Sequence, residues 1–190
     1  LYYSVGPLDI TLYVDTPLAS RNFIQLCLDG FYNGLTFFRV EEGKRVFTGD
    51  PTNTGTGDGV AAFGSPFRDE IRKNLRFSRH GLLSMWSGDV AAKTKESKGN
   101  ALVLEKTTEE NTETNLLYKK HHNTSKFFIT LDALPQCNDL YTIFGTITGS
   151  GFDTLTILND LPNQNSKFIQ TVRIISTKVK KNPYPELVPR

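Results

Sequence analysis

Leu8-Asp9-Ile10-Thr11-Leu12-Tyr13-Val14 alternates apolar and polar side chains with a period of two, the pattern of a β-strand with one face in a core. Comparable short runs, rich in β-branched and aromatic residues, follow at Leu35 to Val40, Lys44 to Gly49, Gly81 to Trp86, Lys126 to Leu131, Tyr141 to Thr148 and Phe168 to Val179. Two segments break this rhythm. Thr16 is placed to cap a helix with Pro17 at its first position, and Ala19, Phe23, Leu26 and Cys27 fall at helical spacing before Gly30. Phe152, Leu155, Leu158 and Leu161 repeat that spacing, and Pro162 stops it. Seven or eight strands with only two helices predict a mainly β fold. A closed antiparallel barrel with helices over its open ends is favoured, because closure removes exposed strand edges; a sandwich is the alternative.

The chain has 190 residues, 38% of them hydrophobic and 11% aromatic, enough for one buried core and short for two domains. Charged residues make up 22% and nearly cancel at a net +2, so no global field draws the chain to nucleic acid or to a membrane surface. Cys27 and Cys137 form no disulfide framework and no C-x-x-C pair, which points to a reducing compartment. No apolar run is long enough to cross a bilayer and no cleavable signal opens the sequence, so a soluble protein is expected; Leu1 in first place reads as the trimmed start of something longer. Residues 88–124 are rich in Lys, Glu, Thr and Asn and read as an insertion, while the tail 183–190 holds prolines that predict an extended segment needing a surface to dock on.

Several chemistries lack support. Gly55-Thr56-Gly57-Asp58-Gly59 has no Lys-Ser/Thr ending and opens no helix, so it reads as a turn and not a phosphate loop. His121 and His122 are adjacent and only His80 remains, so no metal or cofactor is expected. No nucleophile elbow is present. Asn123-Thr124-Ser125 matches the glycosylation sequon, but without a secretion signal it reads as unused. Basic clusters at Lys93 to Lys98, Lys119-Lys120 and Lys178 to Lys181 lack the aromatic interleaving that stacks bases, which favours a solvated surface over an RNA site. Arg39, ending an apolar run, is the residue that needs explaining: it either points outward or has a polar task in an apolar setting.

Phe37-Phe38-Arg39, Gly49-Asp50-Pro51, Gly81-Leu82-Leu83-Ser84-Met85, Ser125-Lys126-Phe127-Phe128-Ile129 and Ile143-Phe144-Gly145 resemble, in order, the signature blocks of cyclophilins. Arg21 to Leu28, Phe67-Arg68-Asp69-Glu70, Leu75-Arg76-Phe77 and the tail Asn182-Pro183-Tyr184-Pro185 are similar to one nuclear branch, the spliceosome-associated cyclophilin of the serologically defined colon cancer antigen type. The resemblance implies a closed eight-stranded antiparallel barrel capped by two helices, with a peptide groove on an outer face. The domain would span 1–182, including the insertion. It also implies a nuclear location, work in pre-mRNA splicing, and as partner the HEAT-repeat splicing factor that helps position the exon junction complex.

A prolyl isomerase must lower a rotation barrier of about 18–20 kcal/mol that comes from amide resonance. In cyclophilins an arginine near the prolyl nitrogen weakens that resonance while apolar side chains grip the ring. By resemblance Arg39 takes the arginine's place and Phe128 the aromatic floor. The walls depart from the family: where its pattern runs Gly-Phe-Met-x-Gln, this chain has Gly43-Lys44-Arg45-Val46-Phe47. Lys126 replaces the groove glutamine, Gln136 the tryptophan and Tyr141 the histidine, and Trp86 stands where a small wall residue is usual. Buried cations without partners cost several kcal/mol, so Lys44 and Arg45 are expected to swing outward or to close the pocket by reaching for a carboxylate.

The expectation is therefore a protein-interaction module with weak or no isomerase activity and no cofactor, which docks a splicing factor through the barrel surface and binds a proline-bearing or extended peptide segment without turning it. An active isomerase with altered preference for acidic flanks is the alternative, since Lys44, Arg45 and Lys126 can pair with them. Direct RNA contact ranks third. The insertion is read as an excluded loop ahead of a lid.

Overall fold

The computed structural model describes residues 5–87 and 122–190; the predicted insertion 88–124 lies almost wholly outside the described residues. Six strands, β1 (Asp9–Leu12), β2 (Arg39–Glu41), β3 (Arg45–Thr48), β4 (Leu82–Met85), β5 (Phe127–Thr130) and β6 (Ile143–Thr148), form one sheet in the order β1-β6-β4-β5-β3-β2. Every pairing is antiparallel. A short ribbon, β7 (Asn163–Gln164) with β8 (Lys167–Phe168), follows the second helix.

The alternation of side chains sorts this sheet into two apolar layers. Val46, Leu83, Met85, Phe127 and Ile129 enter the main core with Phe23, Phe144, Ile147, Leu155 and Leu158. Their neighbours on the opposite face, Phe47, Leu82, Phe128 and Ile143, gather with Phe38, Phe77, Trp86, Leu134, Cys137 and Tyr141. Buried on both sides, β4 and β5 read as nearly unbroken apolar runs.

Helix α1 (Pro17–Leu28) begins with the expected proline, but Thr16 does not cap it through its side chain; the buried Thr16 hydroxyl has no hydrogen-bond partner among the described residues. Glu70, 51 residues away, instead accepts a hydrogen bond from the Ala19 amide at 3.0 Å, placing a carboxylate at the positive end of the helix. The helix is also buried beyond one stripe: Asn22 and Gln25 are enclosed as well. Asn22 donates to the Thr124 carbonyl and accepts from the Ala62 amide. Gln25 donates to the Val188 carbonyl at 2.8 Å, so the proline-bearing tail docks on the helix, with Leu187 buried and Arg21 paired with Glu186. Helix α2 (Gly151–Asp160) buries Leu155 and Leu158.

Among the described residues the strands form a six-stranded sheet and a separate two-stranded ribbon. Residues 172–174 run beside 34–37, with Phe37 donating to the Val172 carbonyl and Ile174 to that of Leu35. Thr36 forms an antiparallel bridge with Arg173, and most of the predicted strand from Phe168 to Val179 is irregular. Ile169 and Ile175 face solvent at 66% and 71% exposure. No backbone hydrogen bond joins 172–181 to β1 among the described residues, and the outer edge of β1 borders a cavity of about 940 Å³ lined in part by Leu8, Ile10, Leu12 and Val179. Val14, expected in the core, is exposed beyond the end of β1.

Candidate functional site

The hairpin β2–β3 turns through 42–44, where Gly43 adopts φ 62° and the Lys44 amide donates to the Glu41 carbonyl. Its register pairs Arg39 with Phe47 and Glu41 with Arg45. Because side chains alternate, these four residues share one face of the sheet, and the Phe47–Phe128 pairing adds the ring of β5 to it. Two cations and one carboxylate thus stand over an aromatic floor.

Their contacts are specific. Glu41 Oε1 accepts from Arg39 Nη2 at 2.6 Å and from Arg45 Nη2 at 3.3 Å, and Glu41 Oε2 accepts from Arg45 Nε at 2.7 Å. The Arg45 guanidinium carbon lies 4.9 Å from the Phe47 ring centre, 5.0 Å from that of Phe128 and 6.0 Å from that of Tyr141. Arg45 Nη1 also approaches Cys137 Sγ at 3.6 Å. Burial alone would lower the Arg45 pKa, but the bonds and charge of Glu41 outweigh it and hold the value above the ordinary one. Of the two outcomes open to it, Arg45 turns inward and finds a carboxylate, whereas Lys44 is exposed on the turn. Arg39 stands 4.9 Å from the Phe47 ring centre with a third of its side chain exposed.

The other residues singled out from the sequence divide. Phe128 is fully buried, stacked on Phe77 and edge-on to Tyr141. Trp86 packs against Phe38 and Phe47 with centroids 5.8 and 5.3 Å apart. Lys126 Nζ lies 5.0 Å from the centre of the indole and donates to the Gly57 carbonyl at 2.6 Å. Burial lowers its pKa against the pull of Asp50 and Asp58. Gln136 is exposed on the 3-10 turn Pro135–Cys137 and does not join the cluster's buried rings.

Three participants escaped sequence reading. Glu41 shows as a partner only once the hairpin register is known, Cys137 only through its contact with Arg45. Asp50 organises the glycine-rich loop: its buried carboxylate accepts from the amides of Thr52, Gly55 and Gly57 and from the Thr52 hydroxyl. A Cβ on Gly57 would lie 2.2 Å from Asp50 Oδ1, so the close approach requires glycine. Burial alone would raise the Asp50 pKa, but these hydrogen bonds outweigh it and hold the value below the ordinary one. A depressed folded-state pKa contributes stability above the unfolded value of about 3.9 that is lost as pH falls through the folded one. In an acid titration followed by amide NMR, the Thr52, Gly55 and Gly57 signals are expected to move together with a midpoint below that value; a midpoint above it would refute the assignment.

Residues 1–113 and 108–179 match the model of the cyclophilin type peptidyl-prolyl cis-trans isomerase family. The chain belongs to the cyclophilin family. This cyclophilin is 34% identical over 189 residues to the spliceosome-associated protein CWC27 homolog of Danio rerio, covering 98% of this chain and 34% of that protein. It is 33% identical, over 98% of its length and 32% of the relative's, to the peptidyl-prolyl isomerase CWC27 of Cryptococcus neoformans. The chain therefore spans about a third of the length of these curated relatives. A cyclophilin type peptidyl-prolyl cis-trans isomerase of Cryptosporidium parvum, crystallised in the presence of the dipeptide Ala-Pro, superposes with a TM-score of 0.72 at 33% identity, covering 94% of this cyclophilin and 95% of that chain.

Proposed function

We propose that this cyclophilin serves the spliceosome as a protein-interaction module with weak or no prolyl isomerase activity. One observation carries the reading: the Arg45 guanidinium lies against Phe47 and Phe128, and Glu41 binds both it and Arg39. A proline ring seeking that aromatic floor would have to displace a charged, doubly bonded side chain. If the lost ring contacts are worth about 3 kcal/mol in the transition state, catalysis falls by roughly two orders of magnitude. The names of the relatives support placement in the spliceosome, hence in the nucleus and in mRNA processing. The HEAT-repeat splicing factor that helps position the exon junction complex is the partner proposed. The proposal extends to a domain of 1–182 with the insertion 88–124, an extended proline-rich tail 183–190, and a closed eight-stranded antiparallel barrel capped by two helices.

The second reading, an active isomerase with altered substrate preference, draws on the partial exposure of Arg39. Two-dimensional exchange NMR on Glu-Pro and Ala-Pro peptides separates the two. No acceleration at high protein concentration is expected; acceleration abolished by Arg39→Ala would establish the second reading instead.

A further inference from the structure

We propose that Arg39 and Arg45 form a carboxylate-binding site for an acidic side chain of an extended peptide, and that Glu41 is its resident, displaceable occupant. This rests on the reading of the face as a peptide-recognition surface. It goes further by naming what the face recognises.

The two halves of the ion cluster differ in how firmly they are held. Arg45 is 13% exposed, backed by the Phe47 and Phe128 rings, and it extends from β3, which is paired on both edges. Its planar fork is thus oriented before any ligand arrives, the condition under which a guanidinium binds a carboxylate with little further loss of freedom. Glu41 comes from β2, at the end of the sheet order, and keeps a fifth of its side chain exposed. Its carboxylate can leave by a change of rotamer, with the hairpin backbone unmoved.

Replacement by an incoming carboxylate is charge for charge, so neither guanidinium loses an ionic partner. A neutral amide in the same place would substitute weaker hydrogen bonds for charge-assisted ones, which makes the site selective for acid over amide. Lys44, exposed on the turn, and Lys126, over the indole of Trp86, add positive charge beside the site and steer acidic segments toward it.

Trp86 is the single tryptophan of the sequence and packs on Phe47, the ring beneath both guanidiniums, so its emission reports on this site. The test titrates the full chain with acetyl-Ala-Ala-Glu-Ala-Ala-amide and with its Gln counterpart. Readouts are Trp86 fluorescence and amide shifts of β2 and β3, with circular dichroism to verify folding. The Glu peptide is expected to bind at least about tenfold more tightly than the Gln peptide, and to weaken with salt. Glu41→Gln should tighten the Glu peptide by about tenfold, because its competitor is weakened, and Arg45→Met should erase the preference. Equal binding of the two peptides overturns this inference and leaves peptide recognition standing. Binding of neither overturns both. If Glu41→Gln does not fold, the Arg45→Met comparison and the salt series decide alone.

Discussion

Lys44→Phe combined with Arg45→Met is expected to raise prolyl isomerase activity by at least about tenfold, and by about two orders of magnitude if the regained ring contacts are worth about 3 kcal/mol. The double substitution writes the family's apolar wall back into the hairpin while leaving Arg39 and Phe128 in place. With Arg45 gone, its position over Phe47 and Phe128 is filled by a thioether, which suits aromatic rings and carries no charge to desolvate. Glu41 keeps Arg39 as a partner, so the change strands no carboxylate. Exchange NMR on an Ala-Pro peptide reads the gain, and Arg39→Ala in the same background should remove it. An unchanged rate in the folded double variant would show that Arg45 is not what suppresses turnover. Phe47 and Trp86 would then carry that role.

The second large effect is on stability. Glu41→Ala should cost about 2–3 kcal/mol, because it removes the carboxylate that bonds the Arg45 Nε and Nη2 beside two rings. The figure lies below the ~3–5 kcal/mol of fully enclosed pairs, since the Glu41 side chain is 20% exposed and water can partly compensate. In an Arg45→Met background the same truncation should cost under about 1 kcal/mol, as only the bond from Glu41 to the more exposed Arg39 is lost. Urea melts of the four proteins give the coupling directly. A coupling below about 0.5 kcal/mol would mean that Arg45 gains nothing from Glu41 and is held by its other contacts.

The sequence carried much of this arrangement, and where it failed the reason is structural. Helix α1 was legible because Pro17 and Gly30 mark its ends locally, but its true cap, Glu70, comes from a distant loop that no local pattern reports. The strands at Lys44 to Gly49, Lys126 to Leu131 and Tyr141 to Thr148 were legible because ladder partners flank them. Phe168 to Val179 has a similar composition yet, among the described residues, has no backbone hydrogen bond to β1, and composition does not report which strands pair. At the site, Arg39, Arg45 and Phe128 stood out through their place in the family pattern. Glu41 did not, since an acidic residue before a hairpin turn is unremarked until pairing sets it opposite Arg45. The direction taken by Arg45 was likewise undecidable from sequence, because both outward and inward orientations satisfy a cation; the inward one prevails where a carboxylate and three rings meet.

The ion cluster of Arg39, Glu41 and Arg45 belongs to the single hairpin from Arg39 to Phe47, while the rings of Phe128 and Tyr141 and the neighbouring charge of Lys126 come from elsewhere in the chain. Descent can therefore alter the trade of the molecule by rewriting one brief contiguous passage while the inherited scaffold stays as it was. A lineage passing between turning prolines and holding acidic ligands would need few steps, and reversal would stay open for as long as Arg39 and Phe128 persist.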